Sequence, residues 1–318
     1  MYSFSLSSII DNIYKKINGL IVKMYYKNES GYIELLKDTL NGDKKNTRNG
    51  YVFSQFGCMV KFDNISDNFP LITTKKMFFR GIVEELLWFL RGSTNSNELR
   101  EKEVHIWNGN SSREYLDSIG LNYNEGELGP VYGWQWRKFG KKYNESKEYN
   151  VGIDQIKYII EELQKDSNSR RAVLSAWNPP DLNKMALPPC HILYIFNKSD
   201  KGLSCHMTLR SSDLFLGLPF NIASTALLTQ ILAHILHIKT ADICLSICDA
   251  HIYEEHMEQV NKQINIQSTK LPTVEIIKKA PDIISSIEEK IIWIESLKYE
   301  DFKLNNYNSH PSLPAIMK

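Results

Sequence analysis

The chain has 318 residues, 42% of them hydrophobic and 24% charged, with a formal net charge of +1. That balance suits a folded chain with a sizeable core and gives no electrostatic case for nucleic acid or an anionic membrane as main partner. Five cysteines, at 58, 190, 205, 244 and 248, show neither C-x-x-C nor zinc-finger spacing, so free thiols in a reducing compartment and no metal site are expected.

The first residues lack a basic leader and a long apolar stretch, and no apolar run reaches the length of a membrane span. A cytoplasmic or nucleocytoplasmic protein is expected. Residues 1–28 alternate small apolar patches with lysines and read as an appended segment of unknown role ahead of one unit, 29–318. Helical spacing of Tyr32, Leu35, Leu36 and Leu40 predicts a helix over 31–40. The polar, basic stretch 42–50 reads as a mobile loop, and 51–62 has strand composition.

Residues 82–90 are apolar on nearly every face and predict a buried helix, in which one of the adjacent Glu84 and Glu85 should face outward. Residues 141–150 read as a polar surface loop. Ile156, Ile159, Ile160 and Leu163 predict a helix over 154–163. A short strand over 171–177 precedes a turn at 178–181. Two further strands should form a hairpin around 199–202. In the second, Leu203, Cys205, Met207 and Leu209 face one side and Ser204, His206, Thr208 and Arg210 the other. A symmetric hairpin places Cys190 opposite Arg210, within one residue. Residues 221–238 read as a central buried helix. The pattern as a whole predicts one α+β domain.

Four groups of residues carry candidate chemistry. Cys190 follows two prolines, and an adjacent guanidinium from Arg210 would favour its thiolate. A lone cysteine is more often a small buried hydrophobe, so the prolines by themselves decide nothing. Arg48, Arg170, Arg171 and Arg210, the last followed by Ser211, supply forks and a hydroxyl suited to phosphate. Single arginines are usually solvated surface charges. In a strand, Asp249, His251 and Tyr253 share a face and offer groups for a sugar hydroxyl. A structural hydrogen-bond network accounts for them equally well. Glu85, in an apolar helix, would have a raised pKa and could shuttle protons.

Together these residues resemble the folate-dependent, cysteine-nucleophile thymidylate synthase family. The resemblance runs from about residue 29 to the C-terminus. It rests on Phe69-Pro70-Leu71-Ile72-Thr73-Thr74-Lys75-Lys76, Glu84-Glu85-Leu86-Leu87-Trp88, Gly129-Pro130-Val131-Tyr132-Gly133-Trp134, Ser169-Arg170-Arg171, Leu187-Pro188-Pro189-Cys190-His191, Gly217-Leu218-Pro219-Phe220-Asn221 and Asp249-Ala250-His251-Ile252-Tyr253.

The resemblance implies a large mixed β-sheet packed by helices, with one sheet face as a homodimer interface. It implies conversion of dUMP and 5,10-methylenetetrahydrofolate, as co-substrate, to dTMP and dihydrofolate through a covalent Cys190 adduct at uracil carbon 6. Arg210, Ser211 and Arg48 would hold the phosphate, with Arg170 and Arg171 donated by the other subunit. Asn221 would read the uracil edge, and His251 and Tyr253 the ribose. Glu85, Tyr132 and His191 would organise water for proton transfer. Ile106, Trp107, Asp213, Leu216, Gly217 and Phe220 would line the folate site, with Asp213 also placed among the catalytic and dUMP-binding residues. The chain departs from the family at Leu209 and Thr208, Ile195, Thr225 (a family tyrosine), Asn108, Cys248 and the Ile316-Met317-Lys318 end. A dUMP hydroxymethylase and a catalytically impaired nucleotide- or RNA-binding homologue are the competing readings.

Overall fold

The computed structural model describes residues 25–143 and 152–317. Its centre is a seven-stranded mixed sheet of β1 (Tyr26–Lys27), β2 (Asp43–Thr47), β3 (Gly50–Phe62), β4 (Val173–Ser175), β5 (His191–Ser199), β6 (Gly202–Asp213) and β7 (Thr240–Tyr253). The spatial order is β1-β3-β7-β6-β5-β4, with β2 also paired to β3. β1 with β3 and β6 with β7 are parallel, and the remaining pairs are antiparallel. β8 (Thr273–Ile276) and β9 (Phe302–Asn305) form a separate antiparallel pair.

The helices are α1 (Asn28–Leu40), α2 (Phe79–Leu90), α3 (Asn97–Arg100), α4 (Asn108–Ser111), α5 (Arg113–Ser118), α6 (Tyr132–Lys138), α7 (Gln155–Lys165), α8 (Gly217–Ile235), α9 (Met257–Gln263) and α10 (Ile287–Glu295). The single α+β domain expected from the sequence is what the chain builds. α8 lies on β6, β7 and α2, which explains why it is apolar around most of its circumference. Contrary to the expectation that no apolar run reaches membrane-span length, α8 does so by length and composition. Its apolar window is 78% buried inside the fold, which makes it the core helix.

Strand alternation holds along most of β6. Leu203, Cys205, Met207 and Leu209 are buried under the helices, while Ser204, His206, Thr208 and Arg210 are half-buried on the other face. The β5–β6 hairpin closes with Ser199 opposite Gly202. α7 starts where Asp154 caps it, its Oδ1 accepting from the Ile156 and Lys157 amides, both at 3.1 Å. The same carboxylate receives Arg137 at 2.8 and 2.9 Å. Glu29, buried in the first turn of α1, accepts from the Thr73 and Thr74 amides and the Thr73 hydroxyl. That contact ties α1 to the segment leading into α2.

The stretch 42–50 is not a loop. Asp43–Thr47 is β2, antiparallel to β3, with Arg48 and Asn49 forming the turn between Thr47 and Gly50. All five β2 positions are exposed, so no apolar alternation marks the strand. Gly50 takes φ +111°, which a side chain would strain. Of the surface loop expected at 141–150, residues 144–150 lie outside the described residues.

Candidate active site

The β5–β6 register places the two residues that the hairpin symmetry paired. His191 lies opposite Leu209, and the Arg210 amide donates to the Cys190 carbonyl at 2.9 Å. Arg210 Nη2 lies 3.8 Å from Cys190 Sγ. The guanidinium is fixed by two further donations, Nε to the Pro189 carbonyl and Nη2 to the Pro188 carbonyl, both at 2.9 Å. The prolines therefore do more than stiffen the approach: their carbonyl oxygens hold the cation beside the sulfur. Burial pushes the Cys190 thiol up from its ordinary pKa, while the Arg210 guanidinium and the Tyr132 hydroxyl pull it back down.

Tyr132 opens α6 directly after Gly129-Pro130-Val131. Gly129 has φ +74°, and a Cβ there would run into the Lys184 carbonyl oxygen. The Tyr132 hydroxyl accepts from the Cys190 amide at 2.7 Å. Its ring stacks on His191 with centroids 4.1 Å apart and planes 25° from parallel. Burial lowers the His191 pKa to about 3, so the ring is neutral.

Glu85 sits on the same side of α2 as this aromatic cluster. It accepts from Trp107 Nε1 at 2.8 Å, and Trp107 in turn packs edge-on against Tyr132 at 5.9 Å. Burial raises the Glu85 pKa to about 7, opposed by the Trp107 hydrogen bond. The expectation that one of Glu84 and Glu85 faces solvent fails. Glu84 is 4% exposed and pairs with Lys102 at 2.6 Å. A cation from outside the helix supplies what water would have supplied.

Next to the thiol, the sheet alternation slips by one residue in three neighbouring strands. Phe56 and Gly57, Arg210 and Ser211, and Cys248 and Asp249 are consecutive residues on the open side. The register on either flank is kept, with Leu209 opposite Ile247 and Ser211 opposite Asp249. Aligned irregularities of this kind re-aim side chains without breaking the sheet. Arg210 thereby turns to the sulfur, while Ser211 joins Arg48, Asp249, His251 and Tyr253 around a cavity of about 200 Å³. Burial pushes the Tyr253 phenol up from its ordinary pKa, and Asn49 of the β2–β3 turn acts in the opposite direction. His251 and Tyr253 meet edge to face at 5.3 Å.

Asp213 ends β6. Its Oδ1 accepts from the Phe215 amide at 2.9 Å, and its Oδ2 lies 3.7 Å from Nδ1 of the buried His256. Lys75 is buried beneath, donating to the Phe215 carbonyl with its ammonium 3.7 Å from the Phe215 ring centre. Burial lowers the Lys75 pKa to about 7, and Asp213 acts in the opposite direction. Leu216, Gly217, Phe220 and Asn221 follow at the start of α8. The side chains of Leu216, Phe220 and Ile106 are only partly buried.

Arg170 and Arg171 are exposed just before β4 and do not line the cavity. Several contributors were not visible in the sequence. The Pro188 and Pro189 carbonyls are one case. Trp177, with its ring centre 5.9 Å from Arg210 Cζ, is another. Lys75 and His256 beneath Asp213 are reached only through the fold. Tyr194 looked like one more apolar strand residue, yet its hydroxyl lies 2.9 Å from His191 Nδ1.

Residues 30–318 match the family profile described as thymidylate synthase. A thymidylate synthase 1/2 of Encephalitozoon cuniculi is 42% identical over 293 residues, covering 91% of this chain and 97% of its own. The thymidylate synthase of Homo sapiens is 44% identical, covering 87% and 86% respectively. A bifunctional dihydrofolate reductase-thymidylate synthase of Zea mays is 44% identical over 94% of this chain, which spans 56% of that longer protein. With the match extending over nearly all of the described fold, the chain belongs to the thymidylate synthase family.

Proposed function

We propose that the protein methylates dUMP to dTMP, with 5,10-methylenetetrahydrofolate supplying both the one-carbon unit and the hydride and leaving as dihydrofolate. The observation that carries this reading is Arg210 beside the Cys190 sulfur, with the next residue, Ser211, in the cavity that Arg48, His251 and Tyr253 also line. The cavity suits a sugar phosphate: Arg48 and Ser211 meet the anion, and His251 and Tyr253 offer hydrogen bonds to a ribose hydroxyl. Arg210 belongs to both halves, as a phosphate ligand and as the cation that stabilises the Cys190 thiolate.

In this reading, Cys190 Sγ adds to carbon 6 of the uracil and the electron pair moves onto the carbon 4 oxygen through carbon 5. Covalent attachment makes carbon 5 nucleophilic, which the free base is not. Asn221 reads the uracil edge, where its paired donor and acceptor oppose cytosine. Glu85, at a pKa near 7, exchanges protons near the base at neutral pH. Tyr132 and the neutral His191 order the surrounding hydrogen bonds. Asp213, Ile106, Trp107, Leu216, Gly217 and Phe220 hold the reduced folate.

Arg170 and Arg171 act on the phosphate of a second copy of the chain. Their exposure supports this, as do the exposed Phe56 and Tyr51 and the half-exposed Ile195 on the sheet strands, at 78%, 51% and 39%. The test is tritium release from carbon-5-labelled dUMP in the presence of the folate, with the product identified by mass. Release that matches dTMP formation supports the reading; no release above a Cys190→Ala control contradicts it. A product heavier than dTMP by one oxygen would move the assignment to hydroxymethylation.

A further inference from the structure

His256 sits where three parts of the chain meet, and it has no part in the proposed chemistry. It closes the short turn Glu254–His256 after β7 and is 1% exposed. Phe215 and Tyr253 pack against its ring with centroids 5.6 and 5.5 Å away. Phe215 lies two residues past Asp213, and Tyr253 lines the cavity that also holds Ser211. The imidazole therefore cannot turn without displacing packed aromatics.

The two ring nitrogens face different groups. Nε2 lies 2.8 Å from the Ile316 carbonyl oxygen. A carbonyl has no hydrogen to give, so Nε2 carries one and donates it. Nδ1 faces Asp213 Oδ2 at 3.7 Å, beyond hydrogen-bond reach, and is buried with no hydrogen-bond partner. The ring therefore leaves Oδ2 of Asp213 untaken, while Oδ1 is held by the Phe215 amide.

The Ile316 contact stands alone in its segment. Residues 307–310 are fixed along 72–77. The Tyr307 hydroxyl accepts from the Met77 amide and donates to the Ile72 carbonyl, both at 2.9 Å, and the His310 amide donates to the Thr73 carbonyl at 2.8 Å. Among the described residues 312–317, the Ile316 carbonyl makes the one hydrogen bond. Leu313 and Ala315 pack partly buried against the core, but Ile316 and Met317 are 73% and 60% exposed. Two apolar side chains are thereby held one imidazole away from Asp213, where burying them against a bound ligand is favourable.

We propose that His256 is a positioning residue that moors the segment 312–317 beside Asp213, through the hydrogen bond from Nε2 to the Ile316 carbonyl. The affinity of the folate site then depends on a histidine that touches neither substrate. The consequence for folate rests on the proposed methylation, but the mooring does not.

NMR of protein labelled with carbon-13 at the methionine methyls tests the mooring without any substrate, with Met317→Leu used to assign the Met317 resonance. In wild type that resonance should be shifted from the position of a free chain. His256→Leu removes the donor, and the resonance should sharpen and move to the free-chain position. His256→Gln places an amide nitrogen near Nε2 and should keep the wild-type signal. In steady-state kinetics, His256→Leu should raise KM for methylenetetrahydrofolate about 10-fold with KM for dUMP changed less than about 2-fold, and His256→Gln should recover most of the loss. A chain stopped after Ala315 should show the same rise, with His256→Leu adding nothing to it. A wild-type Met317 signal already at the free-chain position, a signal unmoved by His256→Leu, an equal rise in KM for both substrates, or effects that multiply in the double variant overturns the proposal. A wild-type protein without methylation activity would contradict the proposed function, and the methionine spectrum would still decide the mooring.

Discussion

The Arg210 guanidinium lies 3.8 Å from the Cys190 sulfur and is held there by the carbonyls of Pro188 and Pro189. Burial alone would leave the thiol protonated at neutral pH, and the cation is the opposing charge within reach. Lysine cannot reproduce this geometry, because the site uses two separate nitrogens on a rigid fork. Arg210→Lys should lower kcat/KM for dUMP by about 100-fold or more. It should also slow alkylation of Cys190 by iodoacetamide at pH 7. Unchanged alkylation would show that the thiolate does not depend on the guanidinium.

Glu85 should set a pH dependence near neutrality. Its folded pKa of about 7 is raised by burial above that of an unfolded glutamate. Its contribution to stability is therefore full below the unfolded pKa, near 4.3, and lost as pH rises through about 7. Glu85→Gln should remove that loss, so the variant's stability relative to wild type grows between pH 5 and 8 in urea titrations. The same change should lower kcat about 100-fold and remove an inflection near pH 7 from the rate profile.

Lys75 acts with the opposite sign over a neighbouring range. Burial lowers its folded pKa to about 7, so above pH 7 the unfolded chain binds more protons than the folded one. Stability from this group rises with pH between about 7 and 10 and is lost as pH falls toward 7. Lys75→Met should flatten that rise, measured as unfolding midpoints at pH 7 and 9. An equal rise in wild type and variant would show that Lys75 is charged in the folded protein.

The two arginines before β4 give a test of assembly. If Arg171 serves the phosphate of a second copy, Arg171→Glu and Cys190→Ala are each inactive alone. Mixing them under subunit exchange creates sites with Cys190 from one copy and Arg171 from the other. Activity should return to a fraction of wild type that follows the share of mixed dimers. No recovery in a mixture shown to contain such dimers would place Arg171 outside the site.

The elements that met water on one side and core on the other were legible in the sequence. The β5–β6 hairpin is the clearest case: its turn and alternation were enough to set Cys190 opposite Arg210. β2 was not legible, because all of its side chains are exposed and no apolar period marks it. The slip at Arg210 and Ser211 was hidden in a polar run, where both phases of alternation look alike. Glu84 failed as an outward-facing residue because its partner, Lys102, comes from another element. Tyr194 sat in an apolar strand, and only the fold brings its hydroxyl to His191. Local pattern thus predicted position well and long-range polar pairing poorly.

The central claim is that Cys190 is the nucleophile toward carbon 6 of a uracil nucleotide. Incubation with 5-fluoro-dUMP and methylenetetrahydrofolate, followed by proteolysis and mass spectrometry, tests it most directly. Because fluorine blocks loss of the carbon-5 substituent, the adduct should accumulate, giving a mass increase of nucleotide plus folate on the peptide that contains Cys190. The half-buried Cys244 and Cys248 should remain unmodified. Absence of the adduct, or its appearance on either of those cysteines instead, would contradict the account.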